Sequence, residues 1–141
     1  MCSMNIGYFC LPCRNQDEAR DFYVDTLGFE LEADIPLEED IRWLTVKLPG
    51  QDVGLALMPA GAGKSSNPEL ARRIAETLAL GGWLGGVIRT DDIYRDHAAL
   101  VAKGVEFTED PVERFYGIDS GFRDPSGVPW RLTQVAPVPA A

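Results

Sequence analysis

The stretch NQDEARDFYVDTLG, residues 15–28, decides the fold. Asn15 offers a side-chain acceptor where a helix begins, and Glu18 three residues on matches a capping box. Ala19, Phe22, Tyr23, Thr26 and Leu27 then recur at helical spacing and form one apolar face. Gly28 suits the position after the last turn, where a left-handed backbone meets no Cβ clash.

Outward from this helix the pattern changes to strands. Residues 5–11 are apolar and aromatic and read as a strand that Pro12 ends. Residues 29–35, 41–48 and 53–58 read as three more strands, with a turn at 49–52. Residues 5–58 therefore read β-α-β-β-β. A small-residue linker and a short helix fill 59–82; Asn67 caps that helix, Pro68 opens it, and Leu70, Ile74 and Leu78 mark its stripe. The first pattern then returns. A strand at 83–90 precedes a helix that starts at Asp91 or Asp92, ends at Lys103 and is closed by Gly104. Strands at 105–109, 118–123 and 129–135 follow, with Asp124-Pro125-Ser126-Gly127 as a turn. Gly28-Phe29-Glu30-Leu31 and Gly104-Val105-Glu106-Phe107 share a phrase straight after each helix, a mark of duplication. Each half has too small a core to stand alone. The expectation is one α+β domain over 1–141, with module one at 5–58 and module two at 83–135. The tail, 136–141, is rich in Pro and Ala and is expected to fray.

Composition bounds the function. Of 141 residues, 45% are hydrophobic and 25% charged, which is globular. The formal charge of -9 repels phosphate backbones and anionic membrane surfaces, so neither is an expected partner. No run approaches the roughly 18–20 apolar residues of a membrane span. Residues 1–5 lack the features of a secretory signal. Cys2, Cys10 and Cys13 are odd in number and clustered, not a disulfide framework. A cytoplasmic protein is expected.

The phrase Phe22-Tyr23 followed by Leu27-Gly28 resembles the helix of the vicinal oxygen chelate superfamily, which includes glyoxalase I, bleomycin-resistance proteins and extradiol dioxygenases. Tyr116-Gly117 and Phe122-Arg123-Asp124-Pro125-Ser126-Gly127 resemble that family's closing motif. The resemblance covers about residues 5–135. It implies two βαβββ modules pairing into curved mixed sheets around a cleft, and a homodimer. In family enzymes the cleft holds a divalent metal on His, Gln or Glu from the first and last strand of each module. Carried over by pattern, those positions fall on Tyr8, Ala56, Gly85 and Arg131. Ala56, Gly85 and Arg131 cannot take the usual ligand role, and Tyr8 would be an unusual one. No cofactor is therefore expected.

Strand alternation would put Tyr8 and Cys10, Gly54, Ala56 and Met58, Val87 and Arg89, and Arg131 and Thr133 on cleft-facing sides. Trp43, Tyr116 and Trp83 would line the rim. The expected ligand-binding residues are Tyr8, Trp43, Met58, Arg89, Tyr116 and Arg131, and the expected partner is a small anionic or aromatic organic ligand. Arg131 needs an anion, supplied by the ligand or by an internal Asp or Glu. The leading function is a metal-free small-molecule binding protein. An enzyme with non-standard metal ligands, or with acid–base chemistry on Tyr116 and Asp119, remains the alternative. Cys10-Leu11-Pro12-Cys13 lies on a strand, where extended geometry puts the two Cα atoms about 10 Å apart, beyond disulfide reach. Both thiols are expected to be buried. Gly61-Ala62-Gly63-Lys64-Ser65 lacks the first glycine of a phosphate loop and reads as a connector. His97 reads as a packing residue on its helix.

Overall fold

The structure, a computed structural model, describes residues 3–38, 40–60 and 67–136. The connector at 61–65, Cys2, Glu39 and most of the C-terminal tail lie outside the described residues. Module one runs β1 (Tyr8–Cys13), α1 (Gln16–Arg20), β2 (Glu30–Glu38), β3 (Ile41–Lys47) and β4 (Gly54–Pro59). Module two repeats it as β5 (Val87–Arg89), α3 (Ile93–Ala102), β6 (Phe107–Arg114), β7 (Gly117–Arg123) and β8 (Pro129–Val135). Between them lies α2 (Pro68–Ala79). The sheets have matching orders, β1-β4-β3-β2 and β5-β8-β7-β6. In each, the first and last strands of the module pair in parallel and the others antiparallel. This is the expected βαβββ duplication. No helix among the described residues is long and apolar enough to cross a membrane.

The capping oxygens and closing glycines act as read, but the Glu18 carboxylate takes Arg14 and does not complete the capping box. The Glu18 amide donates to Asn15 Oδ1 at 2.9 Å, and the Leu70 amide to Asn67 Oδ1 at 3.1 Å. Gly28 and Gly104 close their helices at φ 84° and 94°. After Arg20, α1 widens into a π-helical stretch, Asp21–Thr26, where the Leu27 amide reaches Phe22 O.

Three strands extend further toward the C-terminus than the sequence indicates. Pro12, Pro36 and Pro111 look like strand ends, yet β1, β2 and β6 pass through them. All three are sheet edges, where a proline can face away from the ladder and lose no pairing. β5, by contrast, is shorter than the expected 83–90. A Cβ on Gly85 would lie 1.9 Å from Pro129 O, and one on Gly86 2.7 Å from the Trp130 ring. The chain arrives pressed against β8 and begins to pair only at Val87.

One face of each sheet packs into a shared core. Leu11, Cys13, Leu44, Val46 and Leu57 contribute from the first sheet, and Phe122, Trp130 and Leu132 from the second. Tyr23 of α1 is fully buried between them. It stacks edge-on to Phe29 and Trp130 at ring-centroid distances of 5.5 and 6.2 Å. The opposite faces of the sheets point away from this core.

Candidate functional site

On the first sheet, pairing sets Tyr8 beside Gly54, Cys10 beside Ala56, and Ala56 beside Thr45. These residues share the face away from the core, as alternation requires. A Cβ on Gly54 would sit 3.1 Å from the Tyr8 ring, so the glycine makes room for it. Tyr8 meets Trp43 edge-to-face at 5.5 Å. Its hydroxyl donates to Glu32 Oε1 at 2.8 Å, and that hydrogen bond holds the phenol pKa above its ordinary value. Beneath them Thr45 is fully buried. Its hydroxyl is within electrostatic reach of Tyr8 but makes no hydrogen bond among the described residues. Met58 is half-buried further along the same face. Cys10 is exposed, against expectation, because it stands on this open face. Cys13, three residues on, is buried, and burial pushes its thiol up to about 12.

On the second sheet, β7 and β8 set Asp119 opposite Thr133 and Gly121 opposite Arg131. Asp119 is buried and collects donors. Oδ2 accepts from Tyr116 Oη at 2.8 Å and from Arg131 Nη2 at 2.5 Å; Oδ1 accepts from Thr133 Oγ1 at 2.7 Å and from Arg131 Nε at 3.3 Å. Burial pushes this carboxyl up, but the bonds from Arg131, Thr133 and Tyr116 outweigh it and leave the pKa at about 2. Glu109 lies 3.2 Å from Arg131 Nη2 and 2.6 Å from Arg114 Nη2. A Cβ on Gly121 would fall 2.5 Å from Arg131 Nη1, so the guanidinium occupies the space a side chain would fill. Glu109, Glu113, Arg114, Phe115, Tyr116, Asp119 and Arg131 line a shallow concavity of about 650 Å³. Of the two anions open to Arg131 in the sequence, the fold supplies the internal one.

The six expected residues thus fall into groups. Tyr8, Trp43 and Met58 stand on one open face, and Tyr116 and Arg131 on the other. No hydrogen bond, ion pair or ring contact among the described residues joins the two faces within one chain. Arg89 and Trp83 line a third place, a groove of about 580 Å³ between the unpaired edges of β1 and β5, with Phe9, Leu84 and Val87. The Arg89 side chain makes no ion pair or hydrogen bond among the described residues. His97 packs on the Phe107 ring at 4.3 Å, away from both faces.

The four family metal positions do not fit a divalent ion. Tyr8 is committed to Glu32, Ala56 has no donor atom, and Arg131 is a cation. At Gly85 the backbone of Pro129 leaves no space for any side chain. Among the described residues no three His, Cys, Asp or Glu side chains gather as a ligand set. Asp119 and Glu32 are the polar residues that organise the two faces. Sequence pattern gave no signal for Glu32, which sits in an acidic, exposed strand.

A family model described as Glyoxalase/Bleomycin resistance protein/Dioxygenase superfamily matches residues 5–132. A protein of Shewanella frigidimarina (strain NCIMB 400) is 34% identical over 132 residues, 93% of each chain. The crystal structure of UcmS2 superposes with a TM-score of 0.86 at 28% identity, covering 94% of this chain and 98% of that one. TnmS3, described as an antibiotic binding protein from Streptomyces sp. CB03234, superposes with a TM-score of 0.75 at 32% identity, covering 96% and 99%.

Proposed function

This chain belongs to the glyoxalase/bleomycin resistance protein/dioxygenase superfamily, and from that premise we propose that it binds a small aromatic organic molecule, antibiotic-like in size, without a metal. The observation that carries the reading is the makeup of the two open faces. One presents a Tyr8–Trp43 aromatic pair and the other a fixed set of polar groups around Asp119. Aromatic walls with a few oriented polar groups are the usual character of a small-molecule site. The likeness to TnmS3 supports the same reading. Acid–base catalysis on Tyr116 and Asp119 has less support. Asp119 is held ionised with both oxygens occupied, and its hydrogen bond raises the Tyr116 pKa.

The two faces form one cleft in a homodimer, with module one of each copy facing module two of the other. Support comes from the unpaired edges of β1 and β5 and the exposed apolar side chains beside them, among them Ile6, Phe9, Leu84 and Val87. Each chain acts as one domain of two modules. The free thiols of Cys10 and Cys13 support a cytoplasmic setting.

Native mass spectrometry tests the proposal. The protein is sprayed alone, with Ni, Zn, Mn or Fe salts, and with a panel of aromatic antibiotics. Dimer mass, no retained metal and a stoichiometric adduct with a panel member are expected. One tightly held metal per cleft, or no adduct with any member, overturns it.

A further inference from the structure

We infer that the face around Asp119 is a floor whose guanidiniums are already neutralised, which admits a neutral aromatic ligand and rejects an anionic one, with Asp119 as the positioning residue that sets this selectivity. The inference rests on the binding reading above and narrows its ligand class.

At the centre of the floor two guanidiniums, Arg131 and Arg114, meet two carboxylates, Asp119 and Glu109. Every one is paired within the set, at 2.5 Å for Arg131–Asp119 and 2.6 Å for Arg114–Glu109. Glu113 lines the same concavity and brings the formal charge of the whole floor to -1. An arginine in a cleft ordinarily invites a carboxylate or phosphate. Here the bidentate edge of Arg131, Nε and Nη2, is already spent on Asp119. An incoming anion would have to displace a buried carboxylate or face it unpaired, and like charges brought together out of water repel. The chain's formal charge of -9 acts in the same direction at longer range.

What remains open to a ligand is neutral in character. Tyr116 donates its O–H to Asp119 in a hydrogen bond, so its hydroxyl oxygen is left to accept. Arg131 Nη1 has no acceptor among the described residues and is left to donate. A carbonyl-bearing or hydroxyl-bearing aromatic ring meets both. Asp119 fixes both groups at once, although it lies beneath them at 5% exposure and offers the ligand little surface.

Two fluorescent dyes that differ in a sulfonate test this: neutral 2-naphthol and anionic 2-naphthol-6-sulfonate. The wild type is expected to bind the neutral dye at least about tenfold more tightly. Asp119→Asn frees the Arg131 fork and loosens Tyr116, so the ratio of neutral-dye to anionic-dye affinity should fall about tenfold. Glu109→Gln keeps the buried carboxylate and guards against misfolding of the first variant. It is expected to move the preference the same way by a smaller factor. Circular dichroism confirms that each variant is folded. Equal wild-type affinity for the two dyes overturns the inference, and so does an unchanged preference in both variants, while dye binding itself stands. A wild type that binds neither dye removes the binding reading together with it.

Discussion

The Tyr23 hydroxyl donates to Asp124 Oδ2 at 2.7 Å and accepts from Trp130 Nε1 at 2.9 Å. One phenol in the helix of module one thereby ties down the turn and last strand of module two. Asp124 Oδ1 in turn accepts from the amides of Ser126 and Val128, both at 2.9 Å, and the Arg14 amide donates to Ser126 Oγ at 3.0 Å. The two halves are thus joined by a buried polar network set in an apolar interface. Such networks stabilise only when every member is satisfied.

Tyr23→Phe leaves the shape intact and strands the Trp130 N–H and one Asp124 oxygen. It should destabilise the fold by about 2 kcal/mol, the scale of orphaning buried polar groups. Urea unfolding followed by tryptophan fluorescence measures it. A loss below about 0.5 kcal/mol would show that the network does not join the halves.

Asp119 and Asp124 titrate with opposite signs. The folded pKa of Asp119 is depressed to about 2, so its contribution is fully present above the unfolded carboxylate value near 3.9 and is lost as pH falls through about 2. Burial raises Asp124, and the bonds from Tyr23 and the turn amides only partly offset it. Its contribution is present at low pH and is lost as pH rises through the folded value. Stability should therefore fall by about 2 kcal/mol between pH 4 and pH 2, and Asp119→Asn should flatten that window. Thermal melts across pH 2–5 check this, and an equally steep profile in the variant would contradict it.

Gly85→Ala drives a methyl to 1.9 Å from Pro129 O, a backbone atom that cannot swing aside. A loss of about 3 kcal/mol is expected from the forced shift of β5 against β8. Gly82→Ala is the control, since its nearest neighbour would be Thr77 Cγ2 at 3.4 Å. Differential scanning calorimetry on the pair decides the matter, and equal melting temperatures would refute the close-approach account.

Phe9→Lys places a charge in the groove between β1 and β5, where Phe9 is 59% exposed and Val87 62%. The wild type is expected to sediment as a dimer, and the variant as a folded monomer at the same concentration. A dimer that persists puts the interface elsewhere.

The sequence by itself determined the two βαβββ modules, their caps and the glycines that close their helices. Those signals are local: a capping oxygen three residues from its amide, or an apolar face repeating every turn. It also determined that Tyr8 shares a side with Cys10, and Arg131 with Thr133, because alternation is a property of the strand alone. It misjudged β1, β2 and β6, since whether a proline ends a strand depends on whether that strand is an edge, and edges exist only once strands pair. Only tertiary structure decided the site. The β7–β8 register sets Asp119 under Arg131 and Tyr116, and the β2–β3 pairing carries Glu32 to Tyr8. Those partners lie 12 and 24 residues apart in the chain. Charge neutralisation at Arg131 follows from that register and from burial, which no reading of neighbouring letters supplies.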